Sequence, residues 1–196
     1  MKIGLTGSIA CGKSTVSAYL RELSLPVVDA DAISRALTAP GGEALPALRE
    51  AFGERVFCGD VLDRRALASL VFSDERERER LNALLHPRIR EQIVRELCAC
   101  PGPIAFADIP LLFECGMETL FDRVWVVTAS RETQILRLHE RDGLSREEAC
   151  ARIDAQMSQE EKIRRADAVI DTNGPVEATR RQIDSLLSQF DERSAR

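Results

Sequence analysis

The sequence has no apolar run that approaches the length of a membrane span, so no spanning helix is expected. It opens on a strand-like segment with no basic stretch ahead of an apolar one, so the expectation is a cytoplasmic protein without an export signal. Positive charge is not in surplus. Twenty-seven Lys and Arg stand against 32 Asp and Glu, a net charge of −5, which argues against gripping nucleic acid through a broad basic surface. None of the six cysteines forms a Cys-x-x-Cys, and none has metal-ligand spacing to His86 or His139. The closest pair, Cys98-x-Cys100, lacks partners for a zinc site, so the cysteines are expected to be reduced thiols. Repeats and low-complexity segments are also missing. What remains is a globular chain of 196 residues, 44% hydrophobic and 30% charged, long enough for one core with an inserted lobe.

Around its start the chain carries Gly7-Ser8-Ile9-Ala10-Cys11-Gly12-Lys13-Ser14-Thr15, which fits G-x-x-x-x-G-K-[ST]. The flanks suit that pattern. Lys2 to Thr6 reads as a strand, and Ser14 to Leu23 as a helix whose Val16, Tyr19, Leu20 and Leu23 recur at i, i+3, i+4, i+7. A loop of this kind presents successive backbone N–H groups and a helix dipole to the phosphates of a nucleoside triphosphate. Lys13 then reaches the β- and γ-phosphates, while the Ser14 hydroxyl ligates the Mg²⁺ that bridges them.

Four further strands are expected. Leu25 to Val28 ends in Asp29-Ala30-Asp31, two carboxylates at the strand end where open α/β sheets bind ligands; one suits a helix cap and the other chemistry. Ile104 to Ala107 runs into Asp108, the pattern of a carboxylate that helps hold Mg²⁺. The apolar stretch Ile109 to Glu114, with Leu112, is expected to pack over the site or wall an acceptor pocket. Val124 to Val127 and Ala168 to Asp171 complete the sheet, and Asn173-Gly174 after the last strand is where adenine contacts are sought. The last helix carries an apolar stripe through Val176, Ile183, Leu186, Leu187 and Phe190, and the polar tail 191–196 is expected to fray.

Between the second and third strands the chain is far longer than one crossover helix requires. Helices are expected at Ala44 to Phe52, Asp63 to Phe72 and Glu75 to Cys98, the last broken or bent at Pro87. His86, Arg88 and Arg90 cluster at that bend and are candidates to hold acceptor phosphates. The alternating charges of 74–80 suit a solvated face. Arg131 to Asp142 reads as a helix, and Ser145-x-x-Glu148 and Ser158-x-x-Glu161 as capping boxes of two more. This segment is rich in arginine and poor in large apolar residues, which suggests a mobile lid; Arg137 and Arg141 share a face at i, i+4 and are its candidates for charge stabilisation.

The fold expected is α/β: a five-stranded parallel sheet flanked by helices (1–32, 101–130 and 166–196), an inserted helical domain (33–100) and a helical lid (131–165). The ordered set of the phosphate loop, Val28-Asp29-Ala30-Asp31, Leu85-His86-Pro87-Arg88-Ile89-Arg90, Asp108-Ile109-Pro110-Leu111-Leu112-Phe113-Glu114, Arg137 to Leu144 and Val169-Ile170 with Asn173-Gly174 resembles the dephospho-CoA kinase family. That resemblance implies a P-loop kinase core, an insert that takes the CoA-like acceptor, and Asp31 as the base for the hydroxyl proton. It implies ATP and dephospho-CoA as substrates, with Mg²⁺ as cofactor. Where the family usually has Gly-Gly-Ile-Gly-Ser-Gly-Lys, this chain has Ser8, Ala10 and Cys11, which raises backbone strain at the first two and thiol-reagent sensitivity at the third. The residues alone leave open a nucleoside or nucleotide kinase, and a nucleotide-dependent switch. A guanine switch is disfavoured, since neither Asn82 nor Asn173 is followed by Lys.

Overall fold

The computed structural model describes residues 1–194, with side chains through Phe190; the remainder of the tail expected to fray lies outside the described residues. In chain order β1 (Lys2–Gly7), α1 (Lys13–Glu22) and β2 (Val27–Asp29) come first. A mainly helical stretch follows, with α2 (Ala30–Leu37), α3 (Leu45–Phe52), the hairpin strands β3 (Phe57–Cys58) and β4 (Val61–Leu62), α4 (Arg64–Ser73) and α5 (Glu75–Ala99). The chain then forms β5 (Ala105–Asp108), β6 (Arg123–Thr128), α6 (Arg131–Asp142), α7 (Arg146–Asp154), α8 (Gln159–Arg164), β7 (Ala168–Asp171) and α9 (Val176–Ser194). It divides into two compact units, one of residues 1–28 with 100–196 and one of residues 29–99.

The first unit is built on a parallel sheet of order β2-β5-β1-β6-β7. β1 lies in the middle, in parallel register with β5 (Leu5 opposite Asp108) and with β6 (Gly7 opposite Val127). Both faces are covered, so the strands carry continuous apolar runs. Ile3, Leu5, Phe106, Trp125 and Val127 are buried with Val16 and Leu20 of α1 and Ile183 of α9. Trp125 meets Phe106 edge-on at 5.2 Å between ring centroids and stacks on Phe190 at 6.2 Å. On the other side of β1, a Cβ at Gly4 would lie 2.6 Å from Leu112 Cδ1, so the strand has room only for glycine there. The expected α1 face is shorter than its period suggests. The helix ends at Glu22, leaving Leu23 exposed as its C-cap, while Tyr19 turns its hydroxyl to Asp184 at 2.8 Å.

In the second unit α2, α3 and α4 pack on α5, and Ile33, Leu37, Leu48, Phe52, Leu67, Ile93 and Leu97 are buried. Asp29 and Asp63 cap α2 and α4 through their carboxylates. The hairpin β3/β4 has no counterpart in the expected elements, because two-residue strands are too short to show a period. Of the break or bend expected at Pro87, the break is not seen: α5 runs unbroken for 25 residues with Pro87 inside. A proline removes one backbone donor from a helix, and here Pro87 and Ala83, whose carbonyl loses its partner, are both exposed, so water can reach that carbonyl. Of the two expected capping boxes, the one at Ser145 is complete. At Ser158 only the serine half forms, because the Glu161 carboxylate is taken by Arg164.

Candidate active site

The loop between β1 and α1 owes its course to a few backbone requirements. Gly7 has no space for a side chain, since a Cβ would lie 2.5 Å from both Cys11 Sγ and the Val127 carbonyl. Gly12, at φ 84° and ψ 18°, turns the chain into α1 through the left-handed region. Ala10 lies in that region too, at φ 58°, a conformation that costs an L-residue roughly 1–2 kcal/mol. The strain expected of a non-glycine loop is therefore real at Ala10, whereas Ser8 is not among the positive-φ residues. α1 has no side-chain cap, unlike α2, α4, α6, α7 and α8, and no acidic residue in its first turn, unlike α2, α6, α7 and α8. Its first N–H groups are left for an anion.

Lys13 pairs with Asp108, which β5 brings alongside because it is the strand next to β1. Asp108 is buried and also accepts from Ser17 Oγ at 2.5 Å, one turn along α1. Two neighbouring strand ends and one helix thus fix a buried carboxylate beside the lysine. Carboxylate and hydroxyl oxygens are hard donors of the kind that suit Mg²⁺. Among the described residues no group of three or more His, Cys, Asp or Glu could hold a metal by itself. A cation here would be shared with nucleotide phosphates, as is usual for Mg²⁺. Ser14 is exposed at the start of α1 and Thr15 is half-buried.

Cys11 departs from its expectation of reactivity. It is 1% exposed, and burial pushes its thiol above the usual value, which keeps it protonated and shielded from reagents.

The two candidate arginines of α6 are engaged differently. Arg137 is half-buried and donates to the Ala10 carbonyl (3.2 Å), the Thr172 hydroxyl (3.0 Å) and the Thr172 carbonyl (2.7 Å). Arg141 is exposed and bonded to the adjacent Asp142 through both carboxylate oxygens, which holds that carboxyl below its usual range. Asn173 accepts from the Ser130 N–H (2.8 Å) and from Thr133 Oγ1 (2.9 Å), tying the end of β7 to the start of α6. The segment α6 to α8 has a small core of its own, Ile135, Leu138 and Ala149, against which Ile9 and Ala10 pack. Lys162 of α8 is fully buried, 2.8 Å from Glu114 in the loop after β5. The burial of Lys162, Gln134 and Thr172 has no signal in the sequence, since a polar residue at a buried position is not marked by any local pattern.

In the second unit, Asp29 caps α2 by accepting from the Ala32 N–H at 2.9 Å, and Asp31 lies exposed in the first turn of that helix. Capping and chemistry are thus separable between the two carboxylates. His86 and Arg90 are i, i+4 on the unbroken α5 and share a face; Arg88 points elsewhere and folds back on the Leu84 carbonyl at 2.7 Å. The cluster expected at a bend is therefore divided between two helix faces. His86 is partly buried, which lowers its imidazole pKa. Leu112, expected to wall the acceptor pocket, is fully buried over Gly4, and the exposed apolar side chain of that stretch is Leu111.

A family model described as dephospho-CoA kinase matches residues 1–178. A dephospho-CoA kinase of Geobacillus kaustophilus is 47% identical over 195 residues, 97% of each chain. A crystal structure from Thermus thermophilus matches at 42% identity with a TM-score of 0.84, covering 96% of this chain and 97% of that one. The dephospho-CoA kinase of Campylobacter jejuni matches at 28% identity and a TM-score of 0.66, over 96% of both chains.

Proposed function

Because the chain belongs to the dephospho-CoA kinase family, we propose that Lys13, Asp31, Arg137 and Arg141 share the work of its reaction as follows. The protein is a phosphotransferase with an alcohol acceptor: ATP phosphorylates the ribose 3′-hydroxyl of dephospho-CoA, giving coenzyme A and ADP, the last step of coenzyme A synthesis. Such transfer involves little covalent chemistry for the protein, so its task is to place the two reactants in line and neutralise charge.

The observation that carries the site assignment is the buried Asp108 holding Lys13 at the mouth of an uncapped α1. On nucleotide binding Lys13 exchanges Asp108 for the β- and γ-phosphates, and Gly7 through Thr15 wrap them with backbone N–H groups. Asp108 and Ser14 are the residues that would hold Mg²⁺, which would supply positive charge against that of the phosphates. Asp31, on the first turn of the helix that β2 leads into, accepts the proton of the attacking hydroxyl. Arg137 and Arg141, in the 131–165 lid, stabilise charge on the transferred group, and Asn173 borders the adenine. His86 and Arg90, on one face of α5 in the 33–100 insert, receive phosphates of the acceptor, while Arg88, on another face, would have to leave the Leu84 carbonyl to join them. The compartment is the cytoplasm, where six thiols stay reduced; among the described residues no helix is long and apolar enough to cross a membrane.

The test is ADP release from Mg-ATP with dephospho-CoA, AMP, adenosine or no acceptor, with the product weighed for one added phosphoryl group. Turnover confined to dephospho-CoA is expected; turnover with AMP instead, or slow release indifferent to acceptor, overturns the reading. Asp31→Asn is expected to lower kcat by roughly 10²- to 10⁴-fold with ATP affinity unchanged, the range for loss of a general base. Near-normal kcat would remove Asp31 from that role.

A further inference from the structure

Three consecutive carbonyls of the phosphate loop are each held by a side-chain donor from elsewhere in the first unit. Gln134 Nε2 donates to the Ile9 carbonyl at 2.6 Å, Arg137 Nη1 to that of Ala10 at 3.2 Å, and Thr172 Oγ1 to that of Cys11 at 2.6 Å. The Ile9 N–H in turn donates to Gln156 Oε1 at 2.8 Å, so both backbone groups of Ile9 are gripped. Gln134 and Thr172 are 2% and 4% exposed, and a Cβ on Gly12 would lie 3.0 Å from Thr172 Oγ1.

Among the described residues no peptide bond is cis, and in a trans peptide the carbonyl and the following N–H point opposite ways in one plane. Holding a carbonyl therefore aims the next N–H to the other side. The grip on Ile9, Ala10 and Cys11 sets the N–H groups of Ala10, Cys11 and Gly12. That of Cys11 closes a turn onto the Ser8 carbonyl at 3.2 Å, and those of Ala10 and Gly12 are directed away from the holding side chains. The same grip keeps Ala10 at a positive φ that it would otherwise leave.

We propose that Gln134, Gln156 and Thr172 are positioning residues for ATP, which fix the peptide planes of the phosphate loop in their anion-binding orientation before the nucleotide arrives. The inference rests on the kinase reading above for the identity of the anion. Two of the three residues lie on α6 and on the α7–α8 connection, so part of the 131–165 segment acts as a support of the loop as well as a lid.

Thr172→Val keeps the side-chain shape and removes the hydroxyl, Thr172→Ser keeps the hydroxyl, and Gln134→Met keeps the length and removes the donor. In the full-length protein, Gln134→Met is expected to raise the KM and Kd for ATP about five- to tenfold, as for one lost hydrogen bond, and Thr172→Val, which also removes an acceptor from Arg137, at least as much, with the KM for dephospho-CoA unchanged in both. Thr172→Ser is expected to restore parental ATP binding. Parental ATP affinity in both donor-less variants, or an equal rise in KM for both substrates, overturns the proposal. If Thr172→Val melts well below the parent, Gln134→Met decides alone. A parent that binds ATP yet does not turn over dephospho-CoA overturns the reaction instead, and Kd values for ATP then judge the positioning role.

Discussion

At the scale of single residues, burial decides what the phosphate loop can do. Cys11 stands in a reactive-looking sequence, yet burial raises its thiol pKa above the usual 9.0, while Cys58 is exposed. In the native protein an aromatic disulfide reagent at pH 8 is expected to label Cys58 and leave Cys11 untouched, read by peptide mass mapping; labelling of Cys11 at a comparable rate would contradict its burial. A thiol whose folded pKa is raised gives stability that is whole below its unfolded pKa and is lost as pH rises through the folded one. Above about pH 9 stability should therefore fall less steeply in Cys11→Ala than in the parent. The residues of the loop itself were legible because their spacing is local. Gln134 and Thr172 were not, because their partners lie 125 and 161 positions away and only folding brings them together.

At the scale of elements, α8 is joined to the loop after β5 by Lys162 and Glu114. The ammonium is fully buried, while the carboxylate keeps some contact with water and also accepts from the Met157 N–H at 3.3 Å. The two partners should therefore not be equivalent. Glu114→Ala leaves a buried charge without compensation and is expected to cost about 3–5 kcal/mol in urea denaturation. Lys162→Met leaves a carboxylate that water can reach, so its cost should be smaller, and the double variant should lose much less than the sum of the two single losses. Equal and additive losses would show that the pair is not coupled. Helix starts in this chain were readable where a cap residue stands three positions from its target, as at Ser145. The fate of Pro87 was not, because whether a proline breaks a helix depends on whether water can reach the carbonyl it orphans, which the fold decides.

At the scale of the whole molecule, ligand binding and stability are linked, since anything that binds only the folded chain stabilises it. Mg-ATP at 100 times its Kd is expected to add about 2.7 kcal/mol, seen as a rise in melting temperature. Lys13→Ala should abolish most of that rise, and it should also lower the melting temperature without ligand, because the buried Asp108 carboxylate then loses its ion-pair partner and keeps the Ser17 hydroxyl. An unchanged ATP-dependent rise in Lys13→Ala would remove the lysine from phosphate binding. The sequence by itself determined the phosphate loop, the five strands, the long insert between β2 and β5, and the family, because each of these is written in local spacing or in the order of motifs along the chain. The tertiary structure alone decided that Arg137 grips the loop while Arg141 pairs with Asp142, that Leu112 is core and Leu111 surface, and that Asp108 meets Lys13. The physical reason is that burial and hydrogen-bond pairing are set by which distant segments pack together, and no residue's neighbours along the chain carry that information.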